Sequence, residues 1–384
     1  MARGAGEGSI YKRKSDGRWC GQLTIGTDPK TGKQKRKYFY GDKRKDVAKQ
    51  MSELKQKLFD GNYNEPSDMK VGAWLNRWNQ GRKSKLAYGT FKSYRVWINN
   101  HINPEIGHIK LKDLTTRRVQ KLLNDKLEDR GVEGKGGLAV NSVKHIYGTI
   151  NAGLEQAVKE GLVNKNVAAA AEPPKKQEEE KLHTWTKKEV KLFLNAAKDH
   201  RYYLVFYIAL NTGMRKGEIL GLKWEDIDFK AKRISVNRQV YRTDEGLTLK
   251  RVKTKAGERV IPINDVMIQQ LQKQKEEQET IAEMLNKEYN KHNLVNINSA
   301  GNPISPRNAY RLFKRLTKKL DIEQIRFHDL RHTFSTLFLQ NGGNIKTLQQ
   351  ILGHASISTT MDTYSHVTDE MLNSATDNIS SMFD

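Results

Sequence analysis

The sequence predicts an α+β multidomain chain: an N-terminal three-stranded sheet plus a helix, then a helical unit, then a larger, mainly α unit with a small antiparallel sheet. Three observations predict it. Short runs of strand character occur in the first 60 residues and again within 234–263, whereas the three-to-four-residue apolar spacing of helices governs the remainder. Turn signals at Ser15-Asp16-Gly17 and Asp28-Pro29-Lys30-Thr31-Gly32 cut the first segment into short strands. A low-complexity stretch from Ala168 to Lys181 contains Pro173-Pro174 and a run of charges, a composition that favours solvent and separates two folded parts.

The elements follow in order. Ser9 to Lys12 reads as a short strand. Trp19, Gly21, Leu23 and Ile25 alternate with Cys20, Gln22 and Thr24, as in a half-buried strand. Lys33 to Tyr40 is a basic and aromatic strand. From Lys43 to Leu58, Val47, Met51, Leu54 and Leu58 recur at helical spacing, so this helix backs the sheet and leaves one sheet face free. That face is expected to carry Arg and Lys interleaved with Tyr and Trp. It is either a surface for a DNA groove or a solvated hairpin without a ligand. Residues 61–67 are a linker candidate.

Helices come next. Val71 to Trp78 opens the first, and Thr90 to Ile102 is the second, with Phe91, Tyr94, Ile98 and Ile102 on one stripe. Leu114 to Leu127 follows the cap candidates Thr115 and Thr116. After a Gly-rich loop at 130–137, Ala139 to Gly161 aligns Val143, Ile146, Ile150, Leu154 and Val158. These stripes are core, and the opposite faces hold Lys83, Lys85, Lys92, Arg95, Arg117, Arg118, Lys121, Lys144 and Lys159. In the last unit a helix starts near Trp185, strands fall at Ile234-Ser235-Val236, Leu247-Thr248-Leu249 and Arg259 to Ile263, and helices fill the rest. The expected divisions are 1–63, 66–170, a linker at 171–181, and 182–384.

Composition limits the function. In 384 residues, 68 Lys and Arg face 44 Asp and Glu, a net charge of +24. Residues 1–63 alone hold 16 basic against 7 acidic side chains, so the imbalance is concentrated rather than spread as a solubilising surface. Nucleic acid is the expected partner, because Lys and Arg on phosphates release condensed counterions. One cysteine, Cys20, forms no internal disulfide and no metal cluster. The longest apolar runs fall short of a membrane span, and the first residues lack an apolar signal core. A cytosolic setting follows as an expectation.

Four segments of the last unit carry potential chemistry. In Asn211-Thr212-Gly213-Met214-Arg215-Lys216-Gly217-Glu218-Ile219, one apolar helix ends at Gly213 and another begins near Lys216. Arg215 then sits at a helix start, where backbone amides and a guanidinium suit a phosphate oxygen. In Val252-Lys253-Thr254-Lys255-Ala256-Gly257-Glu258-Arg259, a lysine on a polar hairpin tip can reach a leaving oxygen. In Phe327-His328-Asp329-Leu330-Arg331-His332-Thr333, His328, Arg331 and His332 share a helix face at i, i+3 and i+4, an arrangement that invites phosphate. The same two histidines imitate a zinc-binding spacing, but Asp329 stands at the glutamate position and Arg331 repels a divalent cation. In Leu352-Gly353-His354, followed by Tyr364-Ser365-His366, a phenol is a poor nucleophile near neutrality until cations stabilise its phenolate.

Taken together, Arg215, Lys253, His328, Arg331, His354 and Tyr364 resemble the site of the tyrosine recombinase family. The resemblance rests on TGMRKGEI, KTKAGERVIP, HDLRHT, LGH and TTMDTYSH, in that order, across about residues 182–370. The 66–170 unit resembles the family's core-binding domain. The first 60 residues resemble the arm-binding domain of phage and conjugative-transposon integrases. Lys253 precedes the Arg259-Val260-Ile261-Pro262 strand by the family's usual interval, and Lys255 is the competing assignment.

The resemblance implies a site-specific recombinase that integrates and excises a mobile element. Tyr364 would attack a phosphodiester and form a 3′-phosphotyrosyl link, with Arg215 and Arg331 on the nonbridging oxygens. Lys253 would protonate the leaving 5′-oxygen, His328 would act as acid or base, and His354 would hydrogen-bond the phosphate. It also implies no cofactor, no metal and no ATP. The expected partners are double-stranded DNA at core and arm sites, a homo-tetramer through a Holliday junction, an excisionase and a host DNA-bending protein. The expected location is the bacterial cytoplasm, at the nucleoid when DNA-bound. The apolar tail from about Thr368 to Asp384 would dock on a neighbouring protomer or on its own domain. Rival readings are a type IB topoisomerase, an Xer-type resolvase and a catalytically idle DNA-binding regulator.

Overall fold

The computed structural model describes residues 8–27, 32–59, 67–128, 136–175, 183–252, 255–285, 289–361 and 363–364. The linker candidate at 61–67, much of that at 171–181, Lys253 and the tail from 368 lie outside these residues wholly or in large part. The chain divides into two compact units, 1–179 and 180–384. Among the described residues, no helix is long and apolar enough to cross a membrane.

The first unit begins with β1 (Gly8–Lys12), β2 (Trp19–Thr27) and β3 (Gln34–Gly41), an antiparallel sheet in the order β1-β2-β3. Helix α1 (Arg44–Phe59) packs Val47, Met51 and Leu54 against Leu23. The approach is close because β2 carries glycine at 21, where a Cβ would lie 2.3 Å from Met51 Sδ. The register opposes Cys20 to both Tyr11 and Tyr40, and Gln22 to Tyr38, so these side chains share the face away from α1. Tyr11, Tyr38 and Tyr40 are exposed there, with the Arg13 guanidinium 5.4 Å from the Tyr40 ring. Trp19, expected among them, instead packs on the α1 side with Ile10, Ile25 and Phe39, because it shares its strand parity with Leu23.

The helical part of this unit comprises α2 (Val71–Gly81), α3 (Tyr88–Trp97), α4 (Asn103–Ile106), α5 (Thr116–Glu128) and α6 (Val140–Lys159). Its core gathers the expected stripes, from Trp78 through Ile98 and Ile102 to Ile146 and Ile150, and Phe91 is buried as well. Gly153 lets α2 and α6 meet closely, and its carbonyl accepts the Trp74 indole N–H at 2.8 Å. Between α3 and α4, residues Ile98–Ile102 widen into a π turn just ahead of Pro104. Proline lacks the N–H that would continue the regular ladder, which accounts for the loosened turn.

The second unit contains α7 (Lys187–Ala197), α8 (Tyr203–Thr212), α9 (Lys216–Leu220), β4 (Ile227–Asp228), β5 (Arg233–Val236), β6 (Arg238–Thr243), β7 (Gly246–Arg251), β8 (Arg259–Pro262), α10 (Asp265–Leu285), α11 (Pro306–Thr317), α12 (Asp329–Gln340) and α13 (Ile345–Leu352). A Thr186–Glu189 capping box starts α7. Trp185, Phe193, Phe206, Phe313 and Phe327 form a contiguous aromatic core with centroids 4.9–6.1 Å apart. The strands make two sheets rather than one: β4-β5-β8, and a separate β6-β7 hairpin. Strands β7 and β8, which precede and follow 252–258, lie in different sheets, so they do not pair as the hairpin that the sequence suggested there. The hairpin lies earlier, with Thr243 opposite Gly246. Its first strand, rich in Arg and Gln, lacks the apolar pattern by which a strand is recognised.

Candidate active site

Helices α8 and α13 end alike. Gly213 and Gly353 close them in the left-handed conformation, at φ 61° and 67°. A Cβ at 213 would sit 2.5 Å from Phe334, and one at 353 would sit 2.6 Å from the Ala256 carbonyl oxygen, so side chains are excluded at both stops. Helix ends leave carbonyls without intrahelical donors and carry partial negative charge. Arg331, on α12, fills both needs: Nη1 donates to the Gly213 carbonyl at 2.8 Å and Nη2 to the Leu352 carbonyl at 2.7 Å. Its side chain is buried, and among the described residues it makes no ion pair. Burial, with the guanidiniums of Arg215 and Arg259, lowers its pKa to about 9. An anion placed beside it would relieve that repulsion.

Arg215 is the N-cap of α9, and its Nη1 pairs with Glu218 at 2.9 Å. The same carboxylate receives Arg259 Nη2 at 2.8 Å, while Arg259 Nε donates to the Ile351 carbonyl. Burial pushes Glu218 up, but Arg259 and Arg215 more than offset it, and the carboxyl stays below its ordinary value. Two guanidiniums thus share one carboxylate beside the third, Arg331, and the cluster keeps an excess of positive charge.

The histidines complete it. His328 caps α12, and its ring meets His332 edge to face at 5.2 Å. His354, just beyond Gly353, places Nε2 2.8 Å from Arg331 Nη2 and Nδ1 2.9 Å from Thr360 Oγ1. Residues 357–361 are helical, as are 363–364. Tyr364 is fully buried beside Leu339, Leu348 and Leu352, with its hydroxyl 2.8 Å from His332 Nδ1. Burial raises the phenol pKa, against a hydrogen bond from Ser335 and the charge of Arg331.

Of the six residues singled out by the sequence, Arg331 and His354 are in hydrogen-bond contact, and the charges of Arg331 and Arg215 both act on His328 and His354. Tyr364 joins them through His332, which the sequence reading placed on the phosphate-inviting helix face but not among the six. Lys253 is outside the described residues, as is the side chain of its competitor Lys255. Glu218, Arg259 and Thr360 escaped the sequence reading. The signal for Glu218 was its place three residues after Arg215 on a helix start, and that for Thr360 its place one turn before Tyr364.

The histidines make stability depend on pH. Burial first, then nearby positive groups, lowers both His332 and His354 from 6.5 to about 4. The unfolded chain takes up these protons near 6.5, whereas the folded chain resists until about 4. Their contribution is complete above pH 6.5 and is lost as the pH falls towards 4. Thermal midpoints are expected to decline steadily from pH 7 to pH 5. His354→Gln should flatten that decline, and an unchanged slope in the variant would contradict it.

Comparison with known proteins places these motifs. The phage integrase family profile matches residues 183–371, and the phage integrase N-terminal SAM-like domain matches residues 70–127. A tyrosine recombinase XerC-like protein of Caldanaerobacter subterraneus is 29% identical, covering 94% of this chain and 95% of its own. Tyrosine recombinase XerC of Pediococcus pentosaceus is 31% identical over 61% of this chain and 74% of its own. The Tn1549 transposon integrase, solved in complex with transposon right end DNA, is similar in fold, with a TM-score of 0.67 at 22% identity over 81% of this chain and 100% of that one.

Proposed function

The chain belongs to the phage integrase family of tyrosine recombinases, enzymes of site-specific DNA recombination, and from that premise we propose that it cuts and rejoins duplex DNA through Tyr364 to integrate and excise a mobile element. The observation that carries this reading is the pair Arg215 and Arg259 on the single carboxylate of Glu218 beside a third, buried guanidinium, Arg331, together with the buried Tyr364. A site with surplus guanidinium charge and, among the described residues, no carboxylate paired with Arg331 suits a phosphodiester.

In this mechanism the Tyr364 oxygen bonds to the scissile phosphorus, its proton departs to a neighbouring base, and the bond to the 5′-oxygen breaks. Arg331 and Arg215 offset the charge that grows on the nonbridging oxygens. Lys253 supplies a proton to the departing 5′-oxygen, His328 exchanges protons near the nucleophile, and His354 hydrogen-bonds the phosphate. Tyr364 has no accessible surface, so its short helical segment must shift before attack. The phosphodiester energy stays in the phosphotyrosyl bond, and a 5′-hydroxyl from a second duplex reverses the step. Four strands are exchanged and each needs a tyrosine, which implies four protomers on DNA.

The same reading assigns residues 1–63 to arm-type DNA, 66–170 to the core site, 171–181 to a linker and 182–384 to catalysis. The exposed Tyr11, Tyr38 and Tyr40 beside Arg13 support the first of these, because basic and aromatic side chains on a sheet face suit a groove. An excisionase and a host bending protein would set direction, and the work would take place on the bacterial nucleoid.

The test mixes two differently labelled duplexes, each carrying an attachment sequence from the ends of the encoding element, with the full chain. Recombinant strands and a transient four-way junction are expected. Relaxation of supercoils without exchange would replace this reading with a topoisomerase-like one. Binding without cleavage would leave a DNA-binding regulator.

A further inference from the structure

The contacts of His354 fix where its proton lies. A guanidinium has donors and no acceptor, so Arg331 Nη2 donates to His354 Nε2 across 2.8 Å, and that nitrogen carries no proton. Burial, then Arg331 and Arg215, hold the ring uncharged near neutrality. Its one proton is therefore on Nδ1 and is donated to Thr360 Oγ1 at 2.9 Å. Thr360 has no accessible surface, so water does not substitute for its hydroxyl.

This arrangement suits the free site and not the occupied one. A phosphate oxygen offers only lone pairs to its surroundings. Arriving at Arg331, it would take the Nη2–H and face the bare Nε2 of His354, lone pair against lone pair. His354 helps the phosphate only with its proton on Nε2, which leaves Nδ1 bare. A hydroxyl serves both states, because it accepts from Nδ1–H and, after rotation, donates to bare Nδ1. A methyl group, an amide nitrogen or a carbonyl serves at most one of them.

Resting on the recombinase reading above, we propose that Thr360 is a positioning residue whose hydroxyl holds His354 in the Nδ1–H form when the site is empty and in the Nε2–H form when phosphate is bound. The proton balance is even. Nδ1 releases one proton to solvent, Nε2 takes one from solvent, and the ring stays neutral. The hydrogen bond of the Thr360 hydroxyl is to the His354 ring, and Thr360 acts through it.

Two measurements on the full chain test this. In the first, 15N-histidine spectra, with His354 assigned from the His354→Gln spectrum, are compared for free protein and for Tyr364→Phe on a nicked attachment duplex. Nδ1 is expected to be protonated in the free protein and Nε2 in the complex. A doubly protonated His354 in the complex, or Nε2–H in the free protein, overturns the proposal.

In the second, single-turnover cleavage is followed for two variants. Thr360→Val, nearly the same shape without the hydroxyl, is expected to slow cleavage about 10- to 100-fold, the usual scale for a residue behind a catalytic one, with DNA affinity held within about threefold. Thr360→Ser keeps the hydroxyl and is expected within about threefold of wild type. In a His354→Gln background the valine should add less than about twofold. Equal slowing by serine and valine, wild-type speed in the valine variant, or full additivity with His354→Gln each sinks the idea. A wild-type chain that makes no Tyr364-dependent adduct removes the recombinase reading instead, and the free-protein tautomer still decides whether Thr360 governs His354.

Discussion

Tyr364→Phe is expected to leave no covalent protein–DNA adduct while DNA binding persists. Nicked duplex spanning the ends of the encoding element, incubated with EDTA and run on a denaturing gel, gives the readout. Phenylalanine has no oxygen to bond to phosphorus, and loss of a nucleophile lowers covalent catalysis by on the order of 10⁴-fold or more. The variant should fold. The ring fills the pocket among Leu339, Leu348 and Leu352 as before. What is lost there are the hydroxyl's hydrogen bonds with His332 and Ser335, a net cost of about 1 kcal/mol each. An adduct that survives the substitution would move the nucleophile elsewhere. An adduct that needs a divalent cation would remove the account in which side-chain cations alone balance the phosphate.

Much of this site was legible because its parts are local in sequence. Gly213 and Gly353 each follow an apolar helical run, and glycine, lacking a Cβ, takes the left-handed conformation that closes a helix at little cost. The i, i+3, i+4 spacing of His328, Arg331 and His332 put them on one turn of α12 regardless of what packs nearby. The stripe of Val47, Met51 and Leu54 likewise found its sheet.

What escaped depends on partners distant in the chain. Arg259 meets Glu218 across 41 residues, and nothing in its strand marks it as half of a buried pair. Thr360 matters through the ring nitrogen of His354, a contact of side-chain geometry rather than pattern. Trp19 looked like part of a DNA-facing aromatic set because its composition fits one. Its parity with Leu23 sends it to the opposite face. The misread hairpin at 252–258 has the same origin: polar residues before a strand resemble a tip, but only pairing partners reveal that β7 and β8 belong to different sheets.

Arg331→Lys is the second substitution with a large expected effect, and it separates charge from shape. Lysine keeps the positive charge but concentrates it on one nitrogen with a single position in space. The guanidinium spans the ends of two helices, bonding the Gly213 carbonyl with one nitrogen and the Leu352 carbonyl with the other, and it still presents an edge to His354. No ammonium position reaches both carbonyls and a phosphate together. At least one buried carbonyl then loses its donor, at a cost of about 1–3 kcal/mol. Thermal denaturation should register that loss. Cleavage should fall by about 10²- to 10³-fold, the scale of removing one preorganised donor at a developing oxyanion. Arg215→Lys is the informative contrast. The Arg215 side chain is 39% exposed and, among the described residues, its ion pair is with Glu218, a contact an ammonium can keep, so stability should hardly change while cleavage still drops. If Arg331→Lys matched Arg215→Lys in stability, the two helix ends would not depend on the guanidinium fork. If it also cleaved at wild-type speed, charge alone would suffice at the phosphate, and the geometry of α8, α12 and α13 would have no bearing on catalysis.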